Sequence, residues 1–385
     1  MKEQKKDENS FGKILAFIIV IFFIVIVVAR YTTDEEYRSF IDTNIFRKEV
    51  SETNLNNIEI NSDSNPSVFA FDKYIAVLSK NILTEYDSSG KSVSELEINV
   101  AAPLVETNGK YMVIAEKDGQ KIYLICENSI LWSNTVDGNI SRVSVNKNGY
   151  VSIIITNTLY KSIVVYYEPS GKETFRNYIS DNYAVCASIS TNNKYLAIGE
   201  INYAGAVIKS IVKIISVELA QSSPKESMIY TYESENGEII TNINYQDKDK
   251  AVCMFTTYVQ LVGIDSDDRL YDVSDSDVFL DTNLKNGIAV IEKQSSGLFS
   301  FEYEVVIKNI DSKTDRLYIL NSDLPKSMIV SGNKIGLNLG NEVQIINSNG
   351  WLVKKYNSSK QIKSLILGDT IAGIVYKNRI EILDL

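Results

Sequence analysis

The pattern of hydrophobic and polar positions divides the chain into an apolar amino-terminal run and a long periodic part. The run Ile14–Ala29, "ILAFIIVIFFIVIVVA", contains no charge and no proline. At about 1.5 Å per residue it would form a helix of about 24 Å. Phe11, Gly12 and Lys13 extend this length towards the hydrocarbon thickness of about 30 Å. The pattern therefore predicts one transmembrane helix over residues 14–30, which binds the lipid bilayer.

The same run has features of a cleaved signal peptide and of an uncleaved signal anchor. Val27, Val28 and Ala29 would serve as the cleavage site of a signal peptide, so cleavage remains an alternative. The apolar run is longer than the h-region of most signal peptides, which favours an uncleaved signal anchor.

Positive charges around the run predict its orientation. Lysines are concentrated before it, whereas arginines follow it more sparsely: Lys2, Lys5, Lys6 and Lys13, then Arg30 and Arg38. Positive residues favour the cytoplasmic side. We therefore expect a cytoplasmic tail over residues 1–13 in a single-pass protein of the cell membrane, with the remainder extracellular. Arg47 and Lys48 weaken this contrast.

A polar segment follows over residues 31–53 and predicts a linker or stalk, with a short helix around residues 35–46. From residue 54 to residue 385 a polar corner is followed by a short apolar run eight times. The eight versions are "DKYIAVLS", "NGKYMVIAE", "KNGYVSIII", "NNKYLAIGE", "KDKAVCMF", "KNGIAVIE", "GNKIGLNL" and "GDTIAGIVY".

The spacing of these versions predicts the fold class. Their first apolar residues lie 36 to 56 residues apart, with a mean step near 42. Repeats of about 40 to 45 residues that contain several short strands are typical of a β-propeller. We predict an all-β fold of about eight four-stranded blades. Seven blades remain an alternative, because insertions lengthen the fourth and sixth repeats. No stretch after the linker shows a helical period.

The two ends of the periodic part predict how the ring closes. The last repeat stops after "RIEILDL" and lacks an outer strand, whereas "LNNIEI", residues 55–60, precedes the first inner strand. A closed ring leaves no unpaired edge there if one terminus completes the other's blade. We therefore expect residues 55–60 to pair with the carboxy-terminal strand.

Composition supports the all-β prediction and disfavours one class of binding partner. The chain is rich in Ile and Val, with 23 Tyr and only five Pro, and such residues favour strands. Its formal net charge is −10 and its pI about 4.9. An acidic surface repels phosphate backbones, so no nucleic-acid partner is expected.

The absence of histidine removes several chemistries. Without imidazole there is no Ser-His-Asp triad, no Cys-His pair and no histidine ligand for zinc or haem iron. Cys126, Cys186 and Cys253 lie far apart within or beside apolar runs, which predicts buried small hydrophobes. One disulfide remains an alternative.

Turns between the third and outer strands carry a resemblance to known propellers. "YDSSGK", "YYEPSGKETF" and "ICENSILWSNTVDG" resemble the Asp-x-x-x-Gly-Lys-x-x-Trp turns of quinoprotein-type and WD40-like repeats, in a degenerate form. Trp132 stands where that family has its docking tryptophan, and Phe175 takes this place one repeat later. The resemblance implies blades, and little about activity.

The layout of tail, span, stalk and propeller also resembles uncharacterised membrane-anchored propellers of low-GC Gram-positive bacteria. That resemblance implies a location and a fold, but no function. Quinone enzymes of this architecture need a stacking tryptophan in the channel. Trp132 and Trp351 fall instead at outer-strand positions and should pack between blades, so no cofactor is expected.

Three further groups of residues have the types that sites use. Asp265, Asp267 and Asp268, in the aspartate-rich segment 265–281, partly match a calcium loop, but the following glycine and a glutamate at loop position 12 are missing. A solvated acidic corner explains them without a metal. The serine and lysine spacing of acylating enzymes occurs at Ser88–Lys91, Ser222–Lys225 and Ser331–Lys334, in turns where chance accounts for it. No catalytic or metal-binding residue is predicted.

Tyrosines are the remaining candidates, because they give binding surfaces large rigid contact area with a polar tip. They are equally common as half-buried strand residues. The tyrosines considered are Tyr166, Tyr167, Tyr203, Tyr230, Tyr232, Tyr258 and Tyr303.

Together these features favour a non-enzymatic, membrane-anchored extracellular propeller that binds a protein or an envelope polymer. Two alternatives remain: a carboxylate-based glycosidase or lyase acting on surface polysaccharide, and an assembly factor for membrane proteins. An enzyme predicts acidic pairs with raised pKa values at one end of the channel. A binding module predicts an exposed aromatic or apolar patch on one face.

Overall fold

Short apolar runs separated by polar corners form antiparallel strands along the whole periodic part of the chain. The computed structural model describes residues 5–34, 37–38, 41, 55–61, 63, 65–235, 237–246, 249–295, 301–311, 314–320 and 324–385. Within them the strands form eight four-stranded sheets, each one blade of a β-propeller. The predicted all-β fold and the count of eight blades are confirmed.

The corners work as the sequence pattern suggests. In "YDSSGK" the Asp87 carboxylate accepts hydrogen bonds from the backbone N–H groups of Ser89 and Lys91, at 2.9 and 3.1 Å. Gly90 adopts a φ of +79°, a conformation that favours glycine. The same corner recurs at Gly149, Gly171 and Gly350. Each reverses the chain in few residues, which lets successive strands pair.

Blades 1 to 4 follow one another along the chain. Blade 1 consists of β2 (Ser67–Phe71), β3 (Tyr74–Ser79), β4 (Ile82–Tyr86) and β5 (Ser92–Glu97). Blade 2 consists of β6 (Pro103–Asn108), β7 (Tyr111–Glu116), β8 (Lys121–Cys126) and β9 (Ser129–Thr135). Blade 3 consists of β10 (Asn139–Val145), β11 (Val151–Thr156), β12 (Ser162–Tyr167) and β13 (Glu173–Ile179). Blade 4 consists of β14 (Tyr183–Ile189), β15 (Tyr195–Asn202), β16 (Lys209–Ser216) and β17 (Met228–Glu233).

Blades 5 to 8 complete the ring. Blade 5 consists of β18 (Ile240–Tyr245), β19 (Ala251–Phe255), β20 (Tyr258–Val262) and β21 (Asp267–Asp272). Blade 6 consists of β22 (Asp277–Asp281), β23 (Gly287–Ser295), β24 (Phe301–Asn309) and β25 (Arg316–Leu320). Blade 7 consists of β26 (Ser327–Ser331), β27 (Lys334–Asn338), β28 (Glu342–Asn347) and β29 (Leu352–Asn357). Blade 8 consists of β30 (Ser364–Leu367), β31 (Ile371–Val375), β32 (Arg379–Asp384) and the amino-terminal β1 (Asn56–Glu59).

Closure of the ring follows the prediction. Strand β1 pairs antiparallel with β32, in the register Asn56 opposite Ile382 to Glu59 opposite Arg379. Ile58 is 3% exposed and packs in the core between blades 8 and 1. The first strand of the periodic part therefore completes the last blade, and the sheet of blade 8 contains both ends of the domain.

The hydrophobic core is divided into eight clusters, one at each junction between neighbouring blades. Alternate side chains of each strand point to opposite neighbours, so most second and third strands are buried on both faces. In β11, for example, Ile153 and Ile155 pack towards blade 2, whereas Ile154 packs towards blade 4.

The two insertions predicted for the fourth and sixth repeats are present, and one of them corrects an expectation. Blade 4 contains a short helix, α2 (Val217–Ser222), and a 3-10 turn, Pro224–Glu226, between its last two strands. The expectation of no helix after the linker is therefore wrong. Ser216 caps α2 by accepting the N–H of Leu219 through its hydroxyl. In blade 6, β23 and β24 are nine residues long and extend the hairpin.

Outside the propeller the structure describes a helix, α1 (Lys5–Thr33), over the apolar run. It begins and ends beyond the predicted boundaries of residues 14 and 30. Large side chains along it are exposed, including Phe17, Phe22 and Phe23. In the part of the chain that the structure describes, no helix meets the length and hydropathy that a membrane crossing requires. Most of the predicted helix at 35–46 lies outside the described residues.

Candidate functional site

Strand direction gives the propeller two distinct faces. Loops from each outer strand to the next inner strand, and from each second strand to the third, lie on one face, here called the front face. The remaining hairpins lie on the back face. Because β1 runs antiparallel to β32, Asn56 lies towards the back face and Glu59 towards the front face. The chain that precedes β1 therefore joins the ring from the back.

An exposed aromatic surface lies on the front face of blades 3 and 4. Tyr160, in the loop between β11 and β12, lies with its ring centroid 4.7 Å from that of Tyr178 near the end of β13. Tyr183, at the start of β14, stacks on Tyr203 at 5.1 Å. Tyr178 and Tyr203 are each 53% exposed, and neighbouring Leu159 is fully exposed. With Val207 these residues form what we call the tyrosine patch: Leu159, Tyr160, Tyr178, Tyr183, Tyr203 and Val207.

Lys161, the next residue along the chain from Tyr160, contacts both rings of the second tyrosine pair. Its ammonium nitrogen lies 5.2 Å from the ring centroid of Tyr183 and 5.3 Å from that of Tyr203, within the range of a cation–π contact. The same nitrogen donates a hydrogen bond to the backbone carbonyl of Asp181 at 2.7 Å. The N–H of Ala184 donates to the hydroxyl of Ser162 and fixes the two blades beside each other. The patch is thus positioned by inter-blade contacts.

Loop length explains why apolar side chains reach the surface here. The loops over residues 157–161 and 203–208 separate the second and third strands of blades 3 and 4, whereas blades 1 and 5 use two residues at this place. Longer loops carry side chains away from the core. A contiguous set of exposed aromatic and apolar residues is characteristic of an interaction surface.

Comparison with known proteins places this architecture in a family. The sequence profile described as "Family of unknown function (DUF5711)" matches residues 47–385. The chain belongs to this family. The sequence resembles propeller proteins of unknown function, and this part of the resemblance is confirmed. No curated protein matches the chain.

One solved structure, that of Sqt1, shows the same fold at low sequence identity, and BamB is a further similar structure. The chain is 11% identical to Sqt1 of Chaetomium thermophilum, solved bound to the N-terminus of the ribosomal protein L10. That similarity covers 86% of this chain and all of the other, with a TM-score of 0.50. It is 11% identical to BamB from Moraxella catarrhalis, over 88% of this chain and 99% of the other, with a TM-score of 0.49.

Among the tyrosines singled out from the sequence, only Tyr203 belongs to the tyrosine patch. Tyr166 and Tyr167 are buried in β12, and burial raises the pKa of Tyr167 to about 12. Tyr303 is half-buried on β24. Tyr166, Tyr167 and Tyr303 are therefore strand residues, which is the second of the two interpretations given for the tyrosines.

The other three tyrosines close the junction between blades 4 and 5. The hydroxyl of Tyr230 donates to Asp267 at 2.6 Å, and the hydroxyls of Tyr232 and Tyr258 lie 3.0 Å apart. The Arg269 guanidinium lies 3.5 Å above the ring of Tyr258. These contacts are structural.

The predicted position is confirmed for Trp132 and wrong for Trp351. Trp132 is 9% exposed and packs across the junction of blades 2 and 3, with its ring centroid 5.5 Å from that of Tyr167. Trp351 is 40% exposed. It follows Gly350 in a corner and precedes β29, so it lies outside the outer strand where it was expected and belongs to none of the buried cores. Phe175 stacks on Tyr166 at 5.3 Å.

The aspartate-rich segment 265–281 is distributed among separate contacts. Asp267 accepts from Tyr230 and Gln260, Asp272 pairs with Arg269, and Asp277 accepts from Tyr271 at 2.7 Å. Among the described residues no three acidic side chains come together in an arrangement that would hold a metal ion.

The serine and lysine pairs do not have an acylation geometry. Ser88 and Lys91 belong to a corner, and Ser222 is the last residue of α2 rather than the first of a helix. The ammonium of Lys334 donates to the backbone carbonyl of Asp369 at 2.6 Å. None of the three serines begins a helix, which that chemistry needs.

Two carboxylates on inner strands have raised pKa values. Glu106 on β6 contacts solvent, but the surrounding protein removes much of its hydration. This desolvation raises the pKa of Glu106 to about 7. The nearby positive charge of Arg142 on β10 has the opposite, smaller effect. Burial also raises the pKa of Asp281 on β22. Blades 2 and 6 lie on opposite sides of an eight-bladed ring. Neither of these two carboxylates is among the groups that shift the pKa of the other.

The cysteines are all free thiols. Cys186 and Cys253 are buried in the core between blades 4 and 5, as predicted, and burial raises the pKa of Cys186 to about 12. Cys126, on β8, is only partly buried.

Proposed function

We propose that this chain is a non-enzymatic binding module that holds a protein partner on the tyrosine patch. The observation that carries the proposal is the patch itself: two tyrosine pairs, one of them contacted by Lys161, with Leu159 fully exposed in the same loop as Tyr160. Tyrosine side chains lose little conformational entropy on binding and supply large contact areas, so they dominate the energetics of many interfaces.

The position of the patch supports presentation to a partner. Blade 4 lies opposite blade 8 in the ring, and the chain that precedes β1 joins blade 8 from the back face. The patch is therefore on the opposite face and on the opposite side from this connection. Sqt1, which shares the propeller fold, holds a protein segment in its solved structure. By analogy, a rigid ring can offer its loops to another chain in the same way.

Location at the cell membrane, with the propeller outside, is a further part of the proposal. It is supported by the uncharged run Ile14–Ala29 and by the exposed phenylalanines of α1. No helix among the described residues meets the length and hydropathy that a membrane span requires. Carbonate extraction of cell membranes tests it: the full chain should remain in the membrane pellet, and release into the soluble fraction would contradict the location.

Substitution of the patch tests the binding function. In the Tyr160→Asp/Tyr203→Asp double variant, charges replace two aromatic contacts, and each central aromatic contact is worth about 2 kcal/mol or more in an interface. Native gel electrophoresis of the full chain from its own cells should show a complex larger than the chain, depleted at least about tenfold in the variant.

A matched control uses an exposed apolar residue elsewhere. Val93, on β5 of blade 1, is 42% exposed, and Val93→Asp should leave the complex at the level of the unsubstituted chain. Equal depletion in both variants, or none in either, would show that the patch is not the binding surface.

A further inference from the structure

The junction between blades 5 and 6 has the smallest buried apolar core in the ring. Six buried residues form it: Val252, Val259, Leu261, Ile288, Val290 and Val306. The cores described at the other seven junctions contain eight to fourteen. At this junction the outer strand of blade 6 is poorly covered: Leu317 is 57% exposed and Ile319 is 60% exposed.

Strand register places both exposed side chains on the face towards blade 5. Leu317 lies opposite Val306, which belongs to the core of this junction, and residues opposite each other in an antiparallel pair share a face. Ile319, two residues further along β25, shares that face and lies opposite Glu304. Among the described outer strands, only β25 exposes two large apolar side chains in this alternating arrangement.

Acidic side chains lie on the same face of blade 6 and on the facing side of blade 5. Glu302 and Glu304 alternate along β24 on the same face as Ile319. Across the junction, Asp268 on β21 lies opposite Leu261, which belongs to the same core, so Asp268 faces blade 6. Within the described residues, the carboxylates of Asp268 and Glu302 have no hydrogen-bond or ion-pair partner. We call this set the blade 5–6 cleft: Asp268, Glu302, Glu304, Leu317 and Ile319.

Among the described residues, Lys308 is the lysine that strand register places on this face, and its charge is neutralised by an ion pair. Lys308 lies opposite Ile288, whose side chain belongs to the core of the junction, and its ammonium pairs with Asp315 at 2.7 Å. The cleft therefore has an excess of negative charge around two exposed aliphatic side chains. A ligand that covers it must supply apolar groups and positive charges together.

The backbone beside the cleft is that of a sheet edge. β25 is the last strand of its sheet and pairs only with β24 among the described strands, although the corner at Gly350 of blade 7 lies against the backbone carbonyl of Leu317. An exposed apolar edge strand is a template for an added strand, which gains main-chain hydrogen bonds and places alternate side chains on one face. The nine-residue strands β23 and β24 lengthen the wall along which such a segment would lie.

We propose that the blade 5–6 cleft binds an extended protein segment in which apolar residues alternate with lysine or arginine. The apolar residues pack on Leu317 and Ile319, while the cationic side chains pair with Asp268, Glu302 and Glu304. This surface is separate from the tyrosine patch and extends the proposed function by a second site with its own partner chemistry. A second copy of this chain is disfavoured, because its net charge is −10 and pairing two such clefts would bring like charges together.

Fluorescence anisotropy tests the proposal with the full chain and three labelled peptides. The probe is acetyl-Lys-Val-Lys-Ile-Lys-Val-Lys amide. One control peptide carries Glu in place of every Lys, and the other carries Ser in place of every Val and Ile. The lysine probe should bind, with an affinity that falls as salt is raised, and both control peptides should bind at least about tenfold more weakly.

Matched variants assign the binding to the cleft. Ile319→Ser and the double variant Asp268→Asn/Glu302→Gln should each weaken binding of the lysine probe at least about fivefold. Leu131→Ser, at a 45% exposed position on outer strand β9, should leave it unchanged. The Tyr160→Asp/Tyr203→Asp variant should also bind the probe normally, so failure of the tyrosine patch and failure of the cleft are distinguishable.

Three outcomes would overturn the proposal. Equal binding of the lysine and glutamate peptides would show that charge does not select the ligand. Unchanged binding by Ile319→Ser and by the acidic double variant would place the peptide elsewhere. Self-association of the full chain in analytical ultracentrifugation that is lost in Ile319→Ser, without peptide binding, would assign the cleft to a second copy.

Discussion

At the scale of single residues, the burial of a carboxyl group in the folded ring has an electrostatic cost. Glu85, on β4, is fully buried and accepts hydrogen bonds from Ser94 and from Asn128 of the next blade, while one of its carboxylate oxygens has no partner. Burial disfavours the charged form and raises its pKa above the ordinary value of 4.5. The hydrogen bonds from Ser94 and Asn128 oppose this shift, since they favour the carboxylate, but burial outweighs them.

This shift predicts how stability changes with pH. A group whose pKa is raised by folding stabilises the native state fully below its unfolded pKa, and that contribution is lost as pH rises through the folded pKa. Glu85→Gln removes the titration, so the variant should lose less stability than the unsubstituted chain between pH 4.5 and neutrality. The difference should be on the order of 1 kcal/mol in the free energy of unfolding, measured by urea denaturation.

Glu95, exposed on neighbouring β5, supplies the control. Glu95→Gln makes the same chemical change at an exposed position, so comparison of the two variants isolates the effect of burying the carboxyl group. A Glu85→Gln variant with the same pH dependence as the unsubstituted chain would show that this carboxyl is not desolvated in the folded state.

At the scale of elements, the closing strand is the contact on which the ring most depends. β1 has only four residues, yet it supplies the outer strand of blade 8 and buries Ile58 against Ile380 and Ile382. Without it, β32 would have an unpaired edge and the core between blades 8 and 1 would open.

Deletion of residues 55–60, or the single change Ile58→Asp, should therefore destabilise the domain. A charge buried in an apolar core typically costs about 3 kcal/mol or more, so we expect a clear fall in the melting temperature by circular dichroism. Glu59→Ala, which removes an exposed side chain from the same strand, should have little effect. An unchanged melting temperature in the deletion would refute closure through β1.

Elements are also where the sequence was most and least informative. The eight second strands could be located because each corner is followed by a buried run with β-branched or aromatic residues, and the corner at Asp87–Lys91 shows that the local sequence alone builds the turn. Helix α2 was missed because six residues are too few for a helical period to repeat. Trp351 was misplaced because corner and strand differ by one residue there.

The site was less predictable than the fold for a physical reason. Tyr160 and Tyr203 lie more than forty residues apart, in loops that have no periodic pattern, and only the packing of blade 3 on blade 4 brings them together. The available signal was the presence of Leu, Tyr, Val and Ile in the corners "NTLYK" and "YAGAVI", where the corresponding corners of blades 1, 2 and 5 are polar. Exposed apolar residues in a loop favour a binding surface over a turn.

At the scale of the whole molecule, the propeller separates its attachment from its binding surfaces. The chain joins the ring at the back of blade 8, the tyrosine patch lies on the front of blades 3 and 4, and the blade 5–6 cleft opens between the two. The exposed tyrosine patch on the front-face loops is the observation that supports the proposed binding of a protein partner.

Site-specific photo-crosslinking measures that central claim most directly. A benzoylphenylalanine placed at position 160 or 203 of the full chain, in its own cells, should give the same discrete protein adduct on irradiation. The same group at position 93 or 131, on outer strands of blades 1 and 2, should not give that adduct. Absence of any adduct from positions 160 and 203, or equal adducts from all four positions, would contradict binding of a protein partner at the tyrosine patch.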